Sequence, residues 1–76
     1  MKKILVTGAT GQIGSELTMA LRQIYGAANV VAAGHKKQAS IDLTQSGPYC
    51  QLDVRDAGAI NRVVEENSCD TIFFCS

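Results

Sequence analysis

Gly8, Gly11 and Gly14 stand three residues apart directly behind the apolar run Ile4-Leu5-Val6. A loop that leads from a buried strand into a helix gathers unpaired backbone amides and the positive end of the helix dipole, which together attract phosphate groups. Glycine makes such a loop accessible. Gly8 permits the tight turn, Gly11 lets the backbone approach the phosphates without a Cβ in the way, and Gly14 lets the helix pack closely on the strand. The amides of Gln12 and Ile13 are expected to meet the phosphates, with Thr10 lining the loop. No Gly-Lys-Ser/Thr follows, so the loop is not of the mononucleotide Walker type.

A dinucleotide needs further contacts. An acid about 20 residues past the last glycine would hold the adenosine ribose hydroxyls of NAD. Gly34 stands there instead, followed by His35, Lys36 and Lys37. A cation at this place can accept a 2′-phosphate, and a short lysine pair is equally at home as a solvated loop. On these residues NAD and NADP both stay open as the cofactor. Asp53-Val54 is the other expected contact, a carboxylate and a backbone amide facing the adenine edge. Asp53 also suits a plain turn ahead of Asp56.

Elements that place these residues follow from the apolar pattern. Lys3 to Thr7 reads as a strand buried on both faces, because its apolar residues are consecutive rather than alternating. From Gln12 to about Tyr25, Ile13, Leu17, Leu21 and Ile24 recur at helical spacing beside Ala20, and Gly26 is placed for a left-handed cap. Asn29 to Ala33 is a second buried strand. Gly34 to Pro48 is polar and reads as a connection, with Pro48 suited to the start of an edge strand over Tyr49 to Leu52. Asp56 caps a helix carrying Ile60, Val63 and Val64 to about Asn67, and Thr71 to Cys75 forms a fourth strand. The fold class is α/β, with strand order 3-2-1-4, one half of a doubly wound parallel sheet plus the first strand of the other half. Ligands of such sheets bind where the order reverses, so Gly8 and Cys75-Ser76 share the binding rim.

The chain has 76 residues, seven basic and seven acidic side chains, and 46% apolar residues. That composition suits one soluble domain and gives no electrostatic attraction for nucleic acid or anionic lipid. No membrane span or secretory leader is legible, so a cytoplasmic location is expected. Cys50, Cys69 and Cys75 fit neither a disulfide framework nor a metal motif, and read as small buried thiols. No metal site is expected.

"KILVTGATGQIGSEL" resembles the opening of an extended short-chain dehydrogenase/reductase of the NAD-dependent epimerase/dehydratase type, whose motif is T-G-x-x-G-x-x-G. "LDVRD" resembles the adenine-binding acidic segment of that superfamily, and "VVEENSCDTIFFCS" its fourth strand, where His-Leu-Ala commonly replaces Phe74-Cys75-Ser76. Within the superfamily, "GQIGSELTMALRQIYGAANVVAAG" and "SGPYCQLDV" are most similar to the short-chain type of L-threonine 3-dehydrogenase. The resemblance implies a Rossmann fold, a nicotinamide dinucleotide as partner, a homodimeric parent enzyme and oxidation of L-threonine to 2-amino-3-oxobutyrate. A sugar-nucleotide epimerase or dehydratase shares the same half, and a non-catalytic nucleotide-binding module is the reading from another class. The family has Asp at the position of Gly34. Its catalytic Ser/Thr and Tyr-x-x-x-Lys pair have no counterpart in this sequence, since neither Tyr25 nor Tyr49 has lysine four residues later. The chain therefore reads as residues 1-76 of a partial dinucleotide-binding domain, not catalytic alone, with Ile72, Phe73 and Phe74 on an open apolar edge prone to self-association.

Overall fold

Ile4, Leu5 and Val6 are each fully shielded from solvent, which requires cover on both faces of the sheet they enter. A computed structural model describes residues 2–35 and 41–75. Strand β1 (Ile4–Thr7) is followed by helix α1 (Gln12–Tyr25), a 3-10 turn (Ala27–Asn29) and strand β2 (Val30–Gly34). Helix α2 (Ile41–Gln45), strand β3 (Tyr49–Gln51), helix α3 (Ala57–Asn67) and strand β4 (Thr71–Phe74) complete the order. The strands are parallel and lie β3-β2-β1-β4, as the pattern of apolar runs predicts. This is the N-terminal portion of a Rossmann sheet.

Successive strand residues point to opposite faces, and each face has its own cover. Ile4, Val6, Val30 and Ala32 pack with Leu21 of α1 and Leu43 of α2. Leu5, Val31 and Ala33 pack with Leu52 and with Ile60, Val63 and Val64 of α3. Register pairs Thr7 with Ala33 on one side and Phe74 on the other, so all carboxyl ends open on one rim. Asp56 caps α3 as expected, its side chain accepting from the Ala59 amide at 3.1 Å.

Several expectations need correction. The buried side of α1 is Gly14, Thr18, Leu21 and Arg22, whereas Ile13 and Ile24 are 74% and 70% exposed. Apolar periodicity misjudged the helix's rotation because two polar residues on the inner face satisfy themselves. Thr18 Oγ1 donates to Gly14 O at 2.7 Å. Arg22 donates to Val30 O, Leu43 O, Ser46 Oγ and Pro48 O at 2.6–3.2 Å, and burial lowers its pKa from the ordinary arginine value. That guanidinium also explains why the stretch read as a bare connection contains α2: it gathers the carbonyls at the helix's end and at the start of β3.

Gly26 has the positive φ expected of it (96°), but its ψ of 137° is extended rather than left-handed helical. The left-handed cap is instead Ser68, at φ 54° and ψ 41°, closing α3. The cysteines are half-buried rather than buried; burial raises the thiol pKa of Cys50 and Cys69. On β4, Phe73 and Phe74 are 39% and 66% exposed, whereas Ile72, expected on the open edge with them, packs into the cluster under α3. No described helix is long and apolar enough to cross a membrane.

Candidate functional site

The glycine loop is built by backbone contact among three elements. Gly8 has φ +67°, and a Cβ on it would overlap the Cys75 carbonyl oxygen and lie 2.6 Å from its carbon. A Cβ on Gly14 would in turn overlap the Gly8 carbonyl oxygen and lie 2.9 Å from that carbon. The end of β4, the loop and the first turn of α1 thus touch through glycine alone. Ala9 N–H donates to Ala33 O at 2.9 Å, tying the loop to β2, and Cys75 N–H donates to Thr7 O at 3.1 Å, tying the end of β4 to β1.

Gly11 differs from the other two. It is the N-cap of α1 at φ −75° and ψ 168°, extended backbone that any residue adopts, and α1 has no side-chain cap there. Its own amide donates back to Gly8 O at 3.2 Å, and the first bond of the helix runs from Ser15 N–H to Gly11 O at 2.9 Å. The amides of Gln12, Ile13 and Gly14 therefore precede the hydrogen-bonded ladder. No acidic residue occupies the first turn. An uncapped terminus without acids or side-chain cover can hold an anion.

Beside the loop lies a cleft of about 200 Å³, lined by Gly8, His35, Leu52, Asp53, Val54, Arg55 and Cys75. It opens at the carboxyl ends of all four strands. Leu52 N–H donates to Gly34 O at 2.7 Å, carrying the β2–β3 pairing to the rim, and Asp56 N–H donates to Asp53 O at 2.9 Å, closing the turn into α3. Asp53 accordingly serves as a turn residue while its carboxylate faces the cleft.

That carboxylate is already partnered. Asp53 Oδ1 accepts from the Arg55 amide at 2.9 Å and from Arg55 Nε at 3.1 Å, and Oδ2 accepts from Nη2 at 3.0 Å. His35 Nε2 lies 3.6 Å from Oδ2. The Arg55 side chain and amide, helped by the charge of Arg55 and His35, hold the Asp53 carboxyl down at about 2. Arg55 is raised in return by the same fork.

Sequence reasoning put Gly8 and Cys75 on one rim and named His35, Asp53 and Val54 as cofactor contacts, and the cleft is lined by all five. Gln12, Ile13 and Gly14 stand at the adjoining helix terminus. Lys36 lies outside the described residues. Gly34 is buried in β2, and a Cβ on it would lie 2.5 Å from Thr10 Cγ2 and 2.6 Å from Tyr49 Oη. Thr10 thus lies against Gly34 as well as lining the loop. Sequence reasoning missed Arg55 and Leu52 as cleft residues; the short Asp-x-Arg spacing within "LDVRD" was the available signal for the first, since a turn brings such residues face to face.

The sequence pattern of the NAD dependent epimerase/dehydratase family matches residues 4–76. The chain belongs to that family. An uncharacterised epimerase/dehydratase of Staphylococcus aureus is 40% identical over 72 residues, covering 95% of this chain and 22% of the relative. Among solved structures, the L-threonine dehydrogenase of Clostridium difficile superposes with a TM-score of 0.88 at 43% identity, over 97% of this chain and 23% of that one. A GalE-like L-threonine dehydrogenase from Cupriavidus necator, in its holo form, gives 0.86 at 32% identity with the same coverage. L-threonine 3-dehydrogenase from Trypanosoma brucei gives 0.84 at 31%, again over 97% and 23%. The chain therefore spans about a quarter of the length of these epimerase/dehydratase relatives.

Proposed function

We propose that this chain is the dinucleotide-binding part of an oxidoreductase that acts on L-threonine or a closely related amino alcohol. The observation that carries the dinucleotide assignment is Gly11: its backbone needs no glycine, so the absence of a side chain there serves something that approaches from outside. A pyrophosphate does so, meeting the amides of Gln12 and Ile13 beside Thr10 at the positive end of α1. Gly8 and Gly14 shape the loop, and the cleft along Asp53, Val54 and Cys75 is the place for the adenosine half.

Bound in this way, a nicotinamide dinucleotide supplies the hydride acceptor for oxidation of an alcohol. This chain's residues contribute orientation rather than proton transfer. The loop amides fix the phosphates, and Val54 and the Asp53 turn face the base. Proton transfer, like the dimer contact of the whole enzyme, is assigned to the part of the longer relatives that this chain does not span.

The threonine assignment is supported by the L-threonine dehydrogenases among the similar structures. Its test is the protein carrying this segment at the length of those relatives, mixed with dinucleotide and L-threonine and followed at the nicotinamide absorbance. Threonine-dependent reduction is expected. Turnover of sugar nucleotides in place of threonine would transfer the assignment to epimerase or dehydratase chemistry, and dinucleotide binding without turnover of either would favour a binding module.

A further inference from the structure

The dinucleotide reading leaves open which dinucleotide, and the rim of β2 and β3 bears on it. Discrimination at this place turns on the group beside the adenosine 2′ position: a carboxylate at the end of β2 accepts from the free hydroxyl and repels a phosphate, whereas an arginine accommodates the phosphate. Gly34 offers no carboxylate. Nor is its place simply vacant, because Thr10 Cγ2 and Tyr49 Oη stand 2.5 and 2.6 Å from where a Cβ would be. An acid there would have to displace both.

The next residue, His35, lies on the cleft, and so does Arg55 from the β3–α3 turn. The one carboxylate among the cleft-lining residues is Asp53, and both of its oxygens are held by Arg55. The fork uses Nε and Nη2 of Arg55, which leaves Nη1 outside it on a side chain 77% exposed. A guanidinium has five donors in a fixed plane, so a paired arginine of this kind still presents N–H groups to a second anion. His35 adds a ring nitrogen 3.6 Å from Asp53 Oδ2, the oxygen that also accepts from Arg55 Nη2.

We infer that this cleft selects the 2′-phosphorylated dinucleotide, NADP, with His35 and Arg55 as the residues that receive the phosphate and Asp53 as the anchor that aims Arg55. The inference rests on the dinucleotide reading above and narrows it. It departs from the family's NAD dependence because the residues that set that dependence are absent at the position where an acid would act.

The test is calorimetric titration of NADP⁺ and NAD⁺, with adenosine 2′,5′-bisphosphate and AMP as probes of the adenosine end alone, into the protein at its full length. NADP⁺ is expected to bind roughly ten-fold or more tightly than NAD⁺, as a charge-assisted phosphate contact implies, with the same order for the two adenosine probes. In H35Q and R55Q, with folding checked by circular dichroism, NADP⁺ affinity should fall about ten-fold while NAD⁺ affinity changes by less than about three-fold. Equal affinity, or tighter binding of NAD⁺, overturns the selectivity while leaving dinucleotide binding intact. Parallel losses of both cofactors in the variants overturn the roles of His35 and Arg55. Binding of neither dinucleotide overturns the parent reading and this inference with it.

Discussion

Replacing Gly14 by alanine sets two physical effects against each other, and the structure decides the sign. Gly14 lies in the first turn of α1, where alanine gains about 1 kcal/mol of helix propensity over glycine. Against this, the new Cβ would overlap the Gly8 carbonyl oxygen and sit 2.9 Å from its carbon and 3.0 Å from Ala9 Cα. All are backbone atoms, and Gly8 is itself held against Cys75, so no rotamer change relieves the overlap. Overpacking of a tight contact costs about 1–3 kcal/mol, and rigid neighbours push it to the upper end or past it. A net loss of about 1–3 kcal/mol is expected, lowering Tm by about 4–8 °C for each kcal/mol in a domain of this size. Gly11→Ala is the control. Its extended backbone accepts alanine, so the change should stay within about 1 kcal/mol. Thermal melts followed by circular dichroism compare the two. A Gly14→Ala protein that melts at or above the parent would refute the claimed contact between the first turn and the loop.

Two further outcomes follow from the same contacts. Arg22→Met keeps an apolar stem but removes the donors to Val30 O, Leu43 O and Pro48 O; the carbonyls left without them outweigh the relief of a buried charge, for a net loss of about 2–4 kcal/mol. Urea denaturation measures it, and a loss under about 0.5 kcal/mol would contradict the role given to the guanidinium. For Asp53, the folded pKa of about 2 lies below the ordinary 3.8, so whatever the Asp53–Arg55 fork contributes is fully present above about pH 4 and lost as pH falls through about 2. A carboxyl NMR titration should place the Asp53 midpoint near that lower value and return it towards the ordinary one in Arg55→Gln; a parent midpoint at the ordinary value would remove the fork.

The sheet order and the glycine loop were legible because each rests on short-range information. Consecutive apolar residues at Ile4-Leu5-Val6 and Val30-Val31-Ala32-Ala33 have no solvent face to alternate with, and glycine spacing marks backbone contact directly. What stayed hidden depends on partners far apart in the chain. The inner face of α1 turns on Arg22 finding carbonyls more than twenty residues away, in α2 and just ahead of β3, which no local apolar pattern encodes. Ser68 closes α3 in a left-handed conformation without the glycine that would have announced it. At the site, Asp53 was visible as a rim carboxylate, but its fork with Arg55 needed the turn that brings residues two apart face to face, and the crowding of Gly34 by Tyr49 needed the β2–β3 register.

The central claim is that the glycine loop at the start of α1 holds a dinucleotide pyrophosphate, and calorimetric titration of NADP⁺ and NAD⁺ into the parent protein and its Gly11→Val variant tests it most directly. Saturable binding to the parent and loss of binding in the variant are predicted, with both proteins folded, because a side chain at position 11 stands where the phosphates approach while its extended backbone accepts one. Unchanged affinity in a folded Gly11→Val protein, or a parent that binds no dinucleotide, would contradict it.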